Sequence, residues 1–192
     1  VAKDKHISLK DKMIAALLSL TAQRGWDMVD FEDIAEEAGV DITDAHEYFD
    51  DKGDILAAYG RKIDRRIFED FKNDETLSCR DKVFDLLMER FDILNEDREA
   101  IINILNGFHS DPKEAVLSFP HLGRSMSRTL EAAGIETKGI VGAAKVAGLT
   151  GIYLYVVRTW KEDDSADMAK TMAALDRALD KSEQLYNTLP IK

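Results

Sequence analysis

Few residues in this chain are of types and spacings that could do chemistry. One cysteine, Cys79, stands between Ser78 and Arg80. A neighbouring guanidinium lowers a thiol's pKa and would favour a nucleophilic thiolate, yet a lone cysteine with no partner base reads as incidental. His109 and His121 are twelve residues apart, flanking a segment with Pro112 and Pro120, which is no recognised metal-ligand spacing. The acidic clusters lack the spacing and the glycine of a calcium loop. There is no His-Glu-x-x-His, no phosphate-cradling glycine loop and no Gly-x-Ser-x-Gly. The sequence therefore predicts no enzyme, no catalytic residue, no metal and no cofactor.

The elements that could position a binding site are helices. The 192 residues are 45% apolar, enough for a core without staples, and carry a formal net charge of −11. That charge argues against a whole-chain grip on nucleic acid or anionic membrane. One cysteine excludes a disulfide framework within the chain. The first residues show no apolar signal region, and no uninterrupted apolar run reaches the roughly 20 residues of a spanning helix. The expected setting is cytoplasmic, without stable membrane insertion. Only three prolines occur, none before Pro112, and proline is what helix interiors exclude. The expectation is an all-α chain.

Periodicity places the helices. Ile14, Leu17, Leu18 and Thr21 share one face of a first helix, with Ser8 and Asp11 as a cap pair and Gly25 as its end. Asp30 precedes a short amphipathic helix with Phe31, Ile34, Ala35 and Ala38. Gly39-Val40 then leads into a third, with Ile42, Ala45, His46 and Phe49, capped by Asp41 or Thr43. The turn Glu37-Ala38-Gly39-Val40 has the helix-turn-helix pattern, and a fourth helix begins near Lys52. Further helices are expected over residues 81–94, 98–108, 122–133, 140–161 and 166–185, with a short one at 113–117.

Two stretches, Ile34-Ala35-Glu36-Glu37-Ala38-Gly39-Val40 and Tyr48-Phe49-Asp50-Asp51-Lys52-Gly53-Asp54-Ile55, resemble the DNA-binding head of the TetR family of transcriptional regulators. The tail Thr159-Trp160-Lys161-Glu162-Asp163-Asp164-Ser165 resembles the end of that family's ligand-binding body. The resemblance implies an all-α homodimer. Residues 1–52 would be a helix-turn-helix head, and residues 53–192 a helical domain for effector binding and dimerisation. Thr43, Asp44, His46, Tyr48 and Lys52 would meet operator DNA. The effector would be a small apolar molecule, and repressor is the commoner family role.

Charge tests the DNA reading. Between Arg24 and Asp54 there are two basic and twelve acidic residues, a local formal charge of −10, whereas phosphate neutralisation supplies most non-specific affinity. Lys3, Lys5, Lys10 and Lys12 form a basic N-terminal arm, and Arg61, Lys62, Arg65 and Arg66 follow on the fourth helix. A second reading thus stays open: a TetR-fold lipid-binding accessory protein, similar to that of ubiquinone biosynthesis, whose acidic head no longer binds DNA. Gly25-Trp26 and the tail around Trp160 are similar to it.

In the body, Phe84, Met88, Phe91, Leu105, Phe108, Met126, Leu130 and Tyr153 are the candidate pocket lining, with ordinary core as the alternative. Methionines and aromatics adapt to varied apolar ligands. Ala144, Gly148 and Gly151 fall at i, i+4 and i+7 of one helix. Glycine inside a helix costs about 1 kcal/mol relative to alanine, and close helix approach is the usual compensation. With Met172, Leu175 and Leu179 of the final helix they form the candidate dimer interface. Close packing within one subunit is the alternative.

Overall fold

A computed structural model describes residues 8–110 and 112–188, with the side chains of 109–110, 112–119 and 186–187 left aside. Among the described residues all regular structure is helical. The order is α1 (Leu9–Arg24), a 3-10 turn (Trp26–Met28), α2 (Phe31–Ala38), α3 (Ile42–His46) and α4 (Lys52–Asp70). Then come α5 (Cys79–Glu96), α6 (Arg98–Ser110), α7 (Pro112–Ala132), α8 (Gly139–Lys161) and α9 (Ala169–Thr188).

The local signals act as expected at the N-terminal end. The Ser8 hydroxyl accepts from the Asp11 N–H at 3.1 Å and opens α1. Asp30 and Asp33 form a reciprocal capping box on α2. Gly39 adopts φ +61°, a left-handed turn that costs glycine little, and lets Val40 donate back to the Ala35 carbonyl at 3.0 Å. Asp41 caps α3 by accepting from the Thr43 N–H at 2.8 Å. One expectation is corrected: α7 is a single helix running through Pro120, not a short helix followed by another. Proline removes one ladder bond there without ending the helix.

The chain divides into two compact units. The first comprises the described residues of Val1–Ile63 and Leu94–Phe119, so α6 joins the head helices. Its core holds Met13, Leu17, Trp26, Ile34, Ala45, Phe49 and Ile55, each nearly or fully buried. Helix α6 is tied in by Asn103, which donates to the Thr21 and Ala22 carbonyls at 3.0 and 3.3 Å. Tyr59 donates to Asp97 at 2.8 Å. Where the sequence reading put its boundary at 52/53, the compact units divide inside α4, α5 and α7, with α6 packed on α1 in the first.

The second unit comprises Asp64–Ile93 and the described residues of Pro120–Lys192. Leu87, Phe91, Met126, Val156, Trp160 and Leu175 are fully buried in it, and α9 packs along α8. Between those helices Asp163 accepts from the N–H and hydroxyl of Thr171, both at 2.8 Å, and from Ser165. Burial alone would raise its carboxyl pKa; the bonds from Ser165 and Thr171 outweigh that and hold it well below the usual carboxylate range.

Candidate functional site

In the head, Ala45 and Phe49 anchor the α3 segment in the core, while Thr43, Asp44, His46 and Tyr48 are exposed. This is the division a recognition helix needs, since base edges are read by side chains that the fold does not consume. Each has a local setting. The His46 ring stacks on Phe31 with centroids 4.6 Å apart. Tyr48 is 51% exposed, with the Lys10 ammonium 5.2 Å from its ring centre. The Thr43 N–H bond lowers the Asp41 carboxyl pKa, so Asp41 stays ionised at the start of α3.

Lys52, expected to meet operator DNA, is engaged within the head. Its ammonium donates to the carbonyls of Trp26 at 3.0 Å and Val29 at 3.1 Å. It also lies 4.4 Å from the Trp26 ring centre. An ammonium has three donors; two carbonyls and an indole face account for them. The start of α4 would suit an anion, but Asp51 already accepts the Asp54 N–H there at 3.0 Å. The basic residues of the arm at Lys3 and Lys5 lie outside the described residues. Lys62 is paired with Asp11 at 2.7 Å, and Arg24 lies 3.7 Å from Asp33.

The second unit holds a buried polar cluster that sequence reasoning missed. Arg90 and Asp64 are 4% and 5% exposed and form an ion pair through Nη2. Ser125 joins them: its hydroxyl accepts from Arg90 Nη2 at 2.6 Å and donates to Asp64 at 2.6 Å. Arg90 Nε is buried without a hydrogen-bond partner. The Arg90 guanidinium lies 5.9 Å from the Tyr153 ring centre, and Phe91 stacks on Tyr153 at 5.6 Å. Burial pushes the Tyr153 phenol pKa up; Arg90 opposes this and Asp64 adds to it. One signal was available: Arg90 occupies the apolar stripe Val83, Leu87, Leu94 of α5 at helical spacing.

Of the predicted lining, Met88, Phe91, Met126, Leu130 and Tyr153 are buried in this unit, and Phe84 is half-buried beneath Arg80. Leu105 and Phe108 belong to the other unit. Phe108 there packs edge-on to Trp26 with centroids 6.0 Å apart.

Helix α8 carries an open apolar face. By length and composition it could cross a membrane, but Leu149, Tyr153, Val156, Val157 and Trp160 bury one side of it within the unit. On the other side Ala144, Gly148 and Gly151 are exposed, with Ile140, Val141, Leu154 and Tyr155. Among the described residues, a Cβ at Gly148 or Gly151 would meet nothing within 4 Å. Close packing within one subunit therefore does not explain these glycines. From α9, Met172 and Leu185 are exposed, whereas Leu175 and Leu179 are buried. Those two leave the candidate interface, because the inward stripe of α9 is Thr171, Ala174, Leu175 and Leu179.

Cys79 is exposed. The adjacent guanidinium is turned to α9, where Arg80 binds Asp176 and, at 2.7 Å, Asp180; the Asp176 bond leads in pushing its pKa up. Among the described residues no group of three His, Cys, Asp or Glu is placed to hold a metal.

Comparison with known proteins agrees with this geometry. Residues 13–59 match the sequence model of the bacterial regulatory proteins, tetR family. A TetR transcriptional regulator from Nitrosomonas europaea ATCC 19718 is similar in structure, with a TM-score of 0.73 and 21% identity over 92% of this chain and 99% of that one. One from Rhodococcus sp. RHA1 gives a TM-score of 0.63 and 19% identity over 90% of this chain and 94% of that one. No curated protein matches the chain. Residues 13–59 therefore match the helix-turn-helix head of the tetR family of bacterial regulatory proteins, and the chain as a whole has the fold of these solved TetR regulators.

Proposed function

We propose that this chain is a homodimeric repressor, acting in the cytoplasm, whose grip on an operator is controlled by a small apolar effector held in the second unit. The observation that carries the DNA side is the anchoring of α3 by Ala45 and Phe49, which leaves Thr43, Asp44, His46 and Tyr48 turned outward. Asp44 suits acceptance from a cytosine amino group, and Tyr48 and Lys10 suit phosphate contacts. The exposed face of α8 with Met172 of α9 supports a two-fold interface. Effector occupancy changes the spacing of two heads and so their fit to half-sites about one helical turn apart.

The test is binding to the intergenic DNA beside its own gene, against scrambled DNA, from about 50 to 200 mM salt. Selective binding that weakens steeply with salt supports the reading. No binding at low salt by a folded protein overturns it.

A second reading is favoured by the engagement of Lys52 with the Trp26 turn and the exposed acids around α3. In it the head is a scaffold and the body serves as a lipid-binding accessory protein. Absence of DNA binding together with co-purifying lipid supports that reading.

A further inference from the structure

We infer that the second unit recognises an uncharged apolar molecule through one neutral carbonyl-type oxygen, which accepts from Arg90 Nε. This deepens the effector reading and rests on it. Arg90 is 4% exposed, and its Nε has no partner. A buried donor left unsatisfied is costly, and native structures satisfy nearly all such groups. Among the described residues no group reaches this one, although Asp64 and Ser125 both crowd the Nη2 side.

The surroundings are apolar and aromatic. The guanidinium lies over Tyr153, Tyr153 stacks on Phe91, and Phe91 lies 6.2 Å from Trp160 between ring centroids. Such walls hold a hydrocarbon or aromatic skeleton, and a few placed polar groups fix its orientation. Tyr153, 9% exposed, brings its phenol into the same cluster.

Charge decides the class of acceptor. Asp64 is itself 5% exposed and already balances Arg90. A carboxylate ligand would leave a buried net negative charge, which is expensive. A ketone, ester or amide oxygen satisfies Nε without that cost. The site therefore selects a neutral carbonyl over both the bare hydrocarbon and the acid.

Calorimetric titration of the full chain with two isosteric sets tests this. One set is 2-acetylnaphthalene, 2-ethylnaphthalene and 2-naphthoate; the other is acetophenone, ethylbenzene and benzoate. In at least one set the ketone binds about tenfold or more tighter than the hydrocarbon, as a hydrogen bond from a charged donor implies, and the acid binds weakest. In the double variant Asp64→Leu/Arg90→Met, which removes the ion pair whole, the hydrocarbon still binds and the ketone loses its preference to within about twofold. Equal binding of ketone and hydrocarbon, preference for the acid, or a ketone preference that survives in the double variant overturns the inference and leaves the apolar effector reading in place. Binding of none of the six compounds overturns both.

Discussion

The ammonium of Lys52 lies 3.0 Å from the carbonyl oxygen of Trp26 and 4.4 Å from the centre of its indole ring. With the Val29 carbonyl at 3.1 Å, this ties the first residue of α4 to the turn between α1 and α2. The lysine that the sequence offers to DNA thus closes the head on itself. Lys52→Met should lower stability by about 2–3 kcal/mol, since each hydrogen bond from a charged group is worth about 1.5–3 kcal/mol. Thermal unfolding followed by circular dichroism measures it. An unchanged melting temperature with weakened operator binding would return Lys52 to the DNA contact.

Trp26 is also in close contact with α6. A Cβ built on Gly107 would sit 2.5 Å from Trp26 Cδ1 and 2.8 Å from its Cβ, and the indole, 2% exposed, has little room to yield. Gly107→Ala should therefore cost about 1–3 kcal/mol as an overpacking change. In a Trp160→Phe background, Trp26 emission reports the shifted ring directly. A variant with wild-type stability and emission would mean α6 does not press on the turn.

These two contacts mark what the sequence can and cannot tell. The caps at Ser8, Asp30 and Asp41 and the Gly39 turn were legible because each depends on neighbours within a few residues. The residues proposed to meet DNA came instead from the family resemblance. The role of Lys52 was not legible, since its partners lie 26 and 23 residues away. Leu175 and Leu179 share a helical stripe with Met172, and periodicity could not tell which edge of that stripe faces inward. The Arg90–Asp64 pair was signalled only by a charge inside an apolar stripe. Its meaning depended on three helices converging.

That pair makes an asymmetric prediction. Arg90→Met alone leaves Asp64 buried without its counter-charge and should cost about 3–5 kcal/mol. The double change Asp64→Leu/Arg90→Met should recover most of that loss, because two apolar side chains replace two paired charges of similar bulk. Urea unfolding of wild type, both single variants and the double gives the coupling. Additive losses would mean the two side chains act independently.

Asp163 sets a pH dependence. Its folded pKa is depressed, so its stabilisation is fully present above the ordinary aspartate value of about 4. It is lost as pH falls through the folded value. Asp163→Asn should therefore melt below wild type at pH 7, and the gap should narrow as the pH drops beneath about 4. A gap that is constant across this range would assign the loss to shape rather than ionisation.

The open face of α8 makes the sharpest claim about assembly. Gly148 has empty space where a side chain would start, and leucine is the better helix former by roughly 0.7 kcal/mol or more. Gly148→Leu should therefore leave the single chain at least as stable. If a second copy covers the face, the same leucine fills the contact where two helices meet across the two-fold axis. Light scattering should show wild type at twice the 21.6 kDa chain mass. It should show Gly148→Leu as a monomer with native helicity or, with the face uncovered, as aggregate. A variant that remains a normal dimer would remove α8 from the interface.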